Sequence, residues 1–173
     1  ETRLEQINQG QVQLIIGTQM MAKGHHFPKL TLVVVVDADC GLYNQDFRAI
    51  EHLGQLLTQV AGRAGRAEQP GEVMIQTHFP NHPLLNTLIQ HGYTPFTQEL
   101  LKTRAKALLP PYCFLAVLRA QSQHAKNVFS FLHKIKGELE QKSASFTGLS
   151  FYGPASAPMA RKANQHRMQL LLK

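Results

Sequence analysis

The feature that most constrains the fold of this chain is the apolar run TLVVVV at residues 31–36. It is uninterrupted and rich in β-branched side chains, as is typical of a central parallel strand covered on both faces. Asp37 and Asp39 follow it, and such an acidic pair suggests the magnesium site of an ATPase. The phosphate-binding loop G-x-x-x-x-G-K-[ST], which such a pair serves, does not occur in the sequence. The run therefore predicts a parallel α/β layer that lacks this loop.

Two further strands and a helix extend the predicted layer. Residues 12–16 form a short β-branched run between glycines, and residues 72–77 follow a Pro-Gly turn, so both predict strands. The loop at 17–28 lies at a strand end, where open α/β sheets place ligands. Asp46 is expected to cap a helix over 47–60, and the whole pattern describes part of a parallel layer. The apolar stripe of this helix consists of Phe47, Ile50, Leu53, Leu56, Leu57 and Val60.

The end of this helix carries the string QVAGRAGR at residues 59–66. Arg63 and Arg66 are three residues apart, so on a helical turn both guanidinium groups reach the same anion. A guanidinium group donates two parallel hydrogen bonds to a phosphate, and the small residues between the arginines allow close approach. The string predicts a phosphate-binding site or an arginine finger. The alternative is a glycine-rich helix end with two solvated arginines.

A second unit is predicted beyond Leu109-Pro110-Pro111, which ends helical structure. Two helices precede it, one between Pro83 and Gly92 and one over 95–107. The pattern after it predicts a small α+β sandwich with a helix on one sheet face. Its end, Leu170-Leu171-Leu172, is unusually apolar for a complete domain, so a further element is expected to be absent. The predicted elements are strands at 112–120, 147–152 and 168–172, a helix at 125–141 and a loop at 153–165.

Charge is distributed unevenly along the chain. Residues 1–101 contain six Lys or Arg against nine Asp or Glu, whereas residues 102–173 contain twelve Lys or Arg against only Glu138 and Glu140. An excess of that size favours a polyanionic partner, most economically nucleic acid. The alternative is a basic domain that is merely soluble. The step in charge predicts two units with different partners.

Composition and spacing exclude several classes of protein. No apolar run is long enough to span a bilayer, and the first residues, ETRLE, are neither a start methionine nor a signal peptide. Cys40 and Cys113 form no CxxC pair, and the nine histidines form no helix-borne H-x-x-x-H site. The sequence therefore predicts neither a disulfide framework nor a metal site.

Two strings together resemble motifs V and VI of superfamily 2 helicases: IGTQMMAKGHHF at residues 16–27 and LLTQVAGRAGR at residues 56–66. The pattern GTQM-x-x-KG-x-x-F resembles in particular the bacterial replication-restart helicases of the primosomal protein N′ family. Further strings are similar to the same family and extend the resemblance to essentially the whole chain. They are DFRA-x-E at 46–51, LPP at 109–111, YGPA-x-AP at 152–158 and R-x-QLLL at 167–172.

The resemblance implies a C-terminal fragment, inactive alone, of an ATP-dependent 3′→5′ DNA helicase that recognises abandoned replication forks and starts primosome assembly. It implies part of a RecA-like helicase lobe 2 at 1–80, a helical connector at 81–111 and an S10-like α+β domain at 112–173, incomplete at its end and implicated in binding branched DNA. The intact protein would use ATP and Mg²⁺, with Zn²⁺ only in a cysteine-rich insertion before Glu1. Expected partners are forked DNA, primosome proteins and single-strand-binding proteins, in the cytoplasm and without a membrane.

The family motifs also imply site residues. Arg66 is implied to stabilise charge on the γ-phosphate, Arg63 to be its companion and Gln59 to contact the nucleotide or the attacking water; the two arginines could exchange roles. Gly24 is implied to approach the nucleotide. Motif V often has an acidic residue where this chain has His26, and a structural histidine fits there at least as well. The implied DNA contacts are Thr18, Gln19, Lys23 and Arg167, with Arg161 and Lys162 in a flexible loop.

Two other hypotheses remain open on sequence grounds. The basic second half is compatible with a non-catalytic module that binds nucleic acid or a protein. The helicase motifs are also compatible with lobe 2 of another superfamily 2 protein, such as a branch-migration helicase, although the LPP and GPA strings argue against it. Phe151 and Tyr152 are neighbouring aromatic residues that either stack on bases or belong to the core.

Overall fold

The computed structural model describes residues 5–7, 9–18, 27, 30–64, 71–143 and 148–173, with the backbone alone at 63 and 64. Contacts divide the chain into two compact units, Glu1–Thr103 and Arg104–Lys173. Each unit has a sheet and a hydrophobic core of its own. The finer division into segments 1–80, 81–111 and 112–173 stays a prediction.

A two-stranded parallel sheet forms the base of the first unit. Strand β1 (Leu32–Val35) pairs with strand β2 (Glu72–Ile75), with Leu32 opposite Glu72 and Val35 opposite Ile75. The expected parallel layer with helices is confirmed. The helices along this part of the chain are α1 (Asp39–Leu42), α2 (Ala49–Ala64), α3 (Pro83–His91) and α4 (Tyr93–Lys106).

Helix α2 begins close to its predicted start and buries Leu53, Leu57 and Val60 of the predicted stripe, while the other stripe residues are half-buried. The side chain of Asp46 accepts a hydrogen bond from the backbone N–H of Arg48 at 3.0 Å, and its carbonyl accepts one from Ala49. Burial of the stripe removes apolar surface from water, which is the main favourable term in folding. One core therefore joins the sheet to α2, α3 and α4. Its buried residues are Ala38, Leu53, Leu57, Leu85, Leu88, Phe96 and Leu100.

Gly54 allows the Phe96 ring of α4 to lie directly against helix α2. A Cβ atom at this position would lie 2.6 Å from Cζ of Phe96, closer than non-bonded carbon atoms tolerate. Phe96 is itself almost completely buried. The absence of a side chain at Gly54 is therefore what makes room for the Phe96 ring.

Two expectations for the first unit are wrong. Residues 12–16 are not a buried strand: they pair with no described strand, and Leu14 and Ile16 are 75% and 88% exposed. A strand needs a hydrogen-bonded neighbour for its backbone groups, and among the described residues β1 and β2 pair only with each other. Strand β1 is not covered on both faces, because α2 packs on one side and Val34 stays exposed on the other.

The second unit is a three-stranded antiparallel sheet with a helix on one face, as predicted for a small α+β domain. Its elements are β3 (Ala116–Ser122), α5 (Ala125–Lys142), β4 (Phe151–Lys162) and β5 (Gln165–Leu172), and the strand order is β3-β5-β4. Val128 and Leu132 of α5 pack with Leu170, which is 0% exposed. The apolar run at 170–172 is thus explained by the central position of β5.

The predicted loop at 153–165 is wrong, because most of it is strand β4. Pro154 and Pro158 suggested a loop, but β4 is an edge strand with register shifts, where a residue without an N–H is tolerated. Ala163 and Asn164 have φ angles of 47° and 59° and form the two-residue turn to β5. Gly153, at φ 107°, leaves no room for a Cβ, which would lie 2.9 Å from the carbonyl oxygen of Gln169.

The contact at Gly54 predicts opposite effects of the same substitution at two glycines of α2. Gly54→Ala forces the Phe96 ring out of the core and is expected to cost about 1–3 kcal/mol of the free energy of unfolding. Gly62→Ala has no described atom within 4 Å and is expected to stabilise by about 0.5–1 kcal/mol, through helix propensity. Urea unfolding followed by circular dichroism measures both.

A double variant tests the physical cause of the Gly54 effect. Phe96→Leu shortens the side chain that the new methyl group meets, so Gly54→Ala is expected to cost less in that background than in the parent. Equal costs in the two backgrounds, or equal effects at Gly54 and Gly62, would contradict the proposed packing.

Candidate functional site

Helix α2 carries the first group of predicted site residues toward its C-terminal end. Gln59 is half-buried and lies four residues before Arg63, a spacing that places two residues on one helix face. The backbone of Arg63 lies in the last turn of α2. Its side chain and the whole of Arg66 lie outside the described residues. Of the three predicted phosphate-site residues, the structure therefore describes Gln59 fully and Arg63 in part.

Most of the predicted nucleotide and DNA loop also lies outside the described residues. This holds for Gln19, Lys23, Gly24 and His26. Thr18 is described and is exposed, at the end of the segment that precedes this loop. Its hydroxyl group is accessible to a ligand, as a phosphate contact requires.

The carboxyl ends of β1 and β2 are joined by a polar cluster centred on Asp39. One carboxylate oxygen of Asp39 accepts a hydrogen bond from the Thr77 hydroxyl. The other accepts the backbone N–H of His78 at 3.0 Å and lies 2.7 Å from its Nδ1. The hydrogen bond from Thr77, followed by that from the His78 backbone, holds the pKa of Asp39 below its ordinary value. Asp39 thereby ties the turn after β1 to the turn after β2.

Sequence reasoning treated Asp39 only as half of a magnesium pair and missed this cluster. The sequence places a carboxylate after one predicted parallel strand and Thr-His after the next. Because the carboxyl ends of parallel strands lie at the same edge of a sheet, this pattern would have predicted the cluster. Asp37, the other acid, accepts a hydrogen bond from Cys40 Sγ at 2.9 Å, which raises the pKa of that thiol. Within the described ranges, no group of three His, Cys, Asp or Glu residues is arranged to hold a metal ion.

The second group of predicted site residues lies on the β4–β5 hairpin. Arg161 is opposite His166 and Lys162 is opposite Gln165, so both are strand residues beside the turn and not residues of a flexible loop. The Arg161 guanidinium group donates to Asn164 Oδ1 at 2.6 Å, which orients it along the hairpin. The expectation of a flexible loop is therefore wrong, since the turn needs only two residues.

The lysines of α5 are partly neutralised by the two acidic residues of this unit. Lys134 lies 4.0 Å from Glu138, and Lys136 lies 3.7 Å from Glu140. Lys136 also donates a hydrogen bond to the carbonyl oxygen of Gly153 at 3.2 Å. Both glutamates of the unit are therefore close to lysines of α5, and the basic residues of the sheet and hairpin lie on other elements.

Comparison with known proteins relates both halves of the chain to one kind of protein. The family model of the primosomal protein N C-terminal domain matches residues 105–173, and that of the helicase conserved C-terminal domain matches residues 1–68. The replication restart protein PriA of Haemophilus influenzae is 51% identical over 172 residues, which are 99% of this chain and 23% of that protein. Over nearly its whole length, the chain is similar to PriA proteins. The PriA proteins of Bacillus subtilis and Synechocystis are 38% and 39% identical, over 100% and 98% of the chain.

These matches agree with the fold of each unit. The helicase match at 1–68 contains β1, α1 and α2, so the parallel layer belongs to a RecA-like lobe 2. The match at 105–173 coincides with the second compact unit, Arg104–Lys173. The chain spans about a fifth to a quarter of the length of these relatives, with shares of 20–23%. Among the helices that are described, none combines the length and apolar character needed to cross a membrane.

The cluster around Asp39 predicts a specific loss of stability in acid. Because the folded pKa of Asp39 lies below its ordinary value of about 4, its contribution is present above that value and is lost as the pH falls through the folded pKa. Asp39→Asn is therefore expected to lower the urea midpoint at pH 7 and to lose less stability than the parent between pH 5 and pH 3.

Thr77→Val is the matched variant, because it removes the donor with the largest effect and leaves the carboxylate in place. Like Asp39→Asn, it is expected to make the urea midpoint less dependent on pH. If Asp39→Asn lost as much stability as the parent over this pH range, the assignment of the acid transition to Asp39 would be wrong.

Proposed function

We propose that this chain is part of an ATP-dependent 3′→5′ DNA helicase that recognises stalled replication forks and initiates primosome assembly for replication restart. The observation that carries the proposal is the helicase C-terminal match at residues 1–68 in a chain that is similar to PriA proteins over nearly its whole length. The parallel β1–β2 layer with α2 packed on it supports the proposal. In such layers, strand ends and helix ends present side chains to a nucleotide.

In this proposal the first unit supplies one half of an ATP site. Arg66 stabilises the charge that develops on the γ-phosphate, and Arg63 contacts the phosphate beside it. Gln59 contacts the nucleotide or the attacking water, and Gly24 lets the backbone approach the nucleotide closely. The half-buried position of Gln59, on the same helix face as Arg63, supports a shared role. The two arginines can exchange roles.

The other half of the ATP site lies in a first lobe outside this chain. The sequence has no G-x-x-x-x-G-K-[ST] loop, so the phosphate cradle that an acidic Mg²⁺ pair at Asp37 and Asp39 would serve is not part of this chain. Zn²⁺ likewise belongs to a cysteine-rich insertion outside the chain. Cys40 donates to Asp37, and Cys113 donates to the carbonyl oxygen of Leu108 at 2.9 Å. The chain alone is therefore inactive as an ATPase.

Contacts to DNA are divided between the units. In the first unit, Thr18, Gln19 and Lys23 bind phosphates of the strand along which the motor moves. In the second unit, Arg161, Lys162 and Arg167 bind forked DNA through its phosphates. The segments 1–80, 81–111 and 112–173 act as half of lobe 2, a connector and the fork-binding domain. Primosome and single-strand-binding proteins are the cytoplasmic partners of the intact protein.

ATP hydrolysis tests the proposed role of the arginines. The 173-residue chain is expected to show no ATPase activity, and a full-length protein containing this chain is expected to hydrolyse ATP when DNA is present. In the full-length protein, Arg66→Ala is expected to lower kcat by about 10³-fold or more, since an arginine finger acts on the transition state. Arg63→Ala, measured in parallel, decides which arginine has the larger effect.

Turnover by the 173-residue chain itself would overturn the assignment of the ATP site. Retention of full kcat by both Arg63→Ala and Arg66→Ala would overturn the role of the arginines. Fork binding by a full-length protein that hydrolyses no ATP would favour the alternative function, a non-catalytic nucleic-acid-binding module, which the basic second unit supports.

Binding of forked DNA tests the basic hairpin. The affinity of the chain is expected to fall as salt rises, with a slope in log Kd of about 0.9 for each phosphate neutralised. Arg161→Gln combined with Lys162→Gln removes two such contacts and is expected to reduce the slope by about one to two. Fluorescence anisotropy of a labelled fork at several salt concentrations measures the slope.

Lys102→Gln combined with Lys134→Gln is the charge-matched control, because both lysines pair with glutamates on their own helices. This control is expected to leave the slope nearly unchanged. A similar reduction in the two double variants would show that the hairpin has no special role and that only net charge matters.

A further inference from the structure

The sheet of the second unit has an inner face, covered by α5, and a second face whose residues are fixed by the strand register. Ala120, Phe151, Met168 and Leu172 pack with the core under α5. Because side chains alternate along a strand, the intervening residues point away from α5. We call this second face the outer sheet face. It consists of Val117, Arg119, Gln121, Tyr152, Ala155, Arg167, Gln169 and Leu171.

The outer sheet face is ordered in three rows across the strands. In the first row, Leu171 lies between Val117 and Tyr152. The second row places Gln169 between Arg119 and Ala155, and the third pairs Gln121 with Arg167. Successive rows are two residues apart along β5, or roughly 7 Å. The face therefore has an apolar, aromatic end beside two rows that each carry an arginine and a glutamine.

Phe151 and Tyr152 lie on opposite faces of the sheet. The sequence alone did not show which of the two is exposed. Phe151 packs into the core beneath α5, whereas Tyr152 is 53% exposed on the outer sheet face. Arg119 and Val117 are also exposed, and Arg167 is half-buried. A phenol ring exposed on the sheet surface, beside apolar neighbours in the same row, presents a planar surface for stacking.

The charge of this face favours a polyanion. Its eight residues include two arginines and no acid, and the only acidic residues of the second unit, Glu138 and Glu140, lie on α5, on the other side of the sheet. Both glutamates are also close to lysines of their own helix. A polyanion on the outer sheet face would therefore meet guanidinium groups without a facing carboxylate.

We propose that the outer sheet face binds single-stranded nucleic acid, with one base stacked on Tyr152 and the adjoining phosphates on Arg119 and Arg167. This inference rests on the proposed DNA-binding function and extends the DNA contacts from the hairpin, through Arg167, to the rest of the outer sheet face. An unpaired base offers an aromatic face for stacking, whereas the bases of a duplex are already stacked on each other. A phosphate contact alone would not require the exposed apolar row beside the arginines. Gln121 and Gln169 supply amide groups for base edges or sugar oxygens.

The absence of tryptophan from the chain permits a direct test of stacking. Tyr152→Trp introduces a single tryptophan at the proposed stacking position. Titration of this variant with a thymidine oligonucleotide of about ten residues, within the usual site size, is expected to quench its fluorescence strongly. An abasic strand with the same number of phosphates is expected to quench it little and to bind the parent chain about tenfold more weakly.

Tyr112→Trp is the matched control, because Tyr112 belongs to the same unit, is 51% exposed and lies outside the sheet. Its fluorescence is expected to change little with either strand. Tyr152→Ala is expected to weaken binding of the thymidine strand about tenfold, and Tyr152→Phe, which keeps the ring, is expected to bind like the parent. Arg119→Gln is expected to reduce the salt slope by about one.

Equal quenching of the two tryptophan variants, equal affinity for the thymidine and abasic strands, or normal binding by Tyr152→Ala would overturn the proposal. If fork binding still depended on Arg161 and Lys162 in that case, the proposed function would stand and only the outer sheet face would be excluded. If the chain bound neither strand nor fork at low salt, both proposals would fail. Tryptophan quenching by an added protein, with no response to either strand, would identify the face as a protein interface instead.

Discussion

The fold of the first unit depends on the contact between Phe96 and helix α2 at Gly54. The Phe96 ring occupies the space that a side chain at Gly54 would fill, so the ring contacts α2 at a distance that only glycine allows. The same helix buries Leu53 and Leu57 in the core that includes β1 and β2. This packing fixes the direction of α2, and hence the position of the helix end that carries Gln59 and Arg63. The proposed phosphate site thus depends on a core contact one to three turns earlier in α2.

The second unit obtains its binding surfaces in a different way. Its central strand, β5, has one face buried beneath α5 and one face that carries Arg167, Gln169 and Leu171. A two-residue turn extends the same strand pair into the basic hairpin. The acidic residues of this unit are confined to α5, so the arginines of the outer sheet face have no carboxylate on their own side of the sheet. The alternation of side chains along β3, β4 and β5 produces this separation directly.

Sequence reasoning correctly predicted the elements that depend on local patterns. The stripe of α2, the helix α5 and the parallel layer follow from hydrophobic periodicity, and the similarity to PriA proteins from two rare strings. It failed where pairing between distant segments decides the structure. Residues 12–16 look like a strand but pair with no described neighbour, and residues 153–165 look like a loop because of two prolines that an edge strand tolerates. Asp39 was missed because its partners, Thr77 and His78, are 38 and 39 residues away.

We propose that Arg66 stabilises the charge that develops on the γ-phosphate and contributes little to binding of the nucleotide before that charge develops. The most direct measurement is calorimetric binding of ADP, and of ADP with aluminium fluoride as a transition-state mimic, to full-length proteins with Arg or Ala at position 66. Because an arginine finger acts on the transition state, Arg66→Ala is predicted to weaken binding of the mimic by about a hundredfold and to leave ADP binding nearly unchanged. Equal losses for both ligands, or no loss for either, would contradict the account.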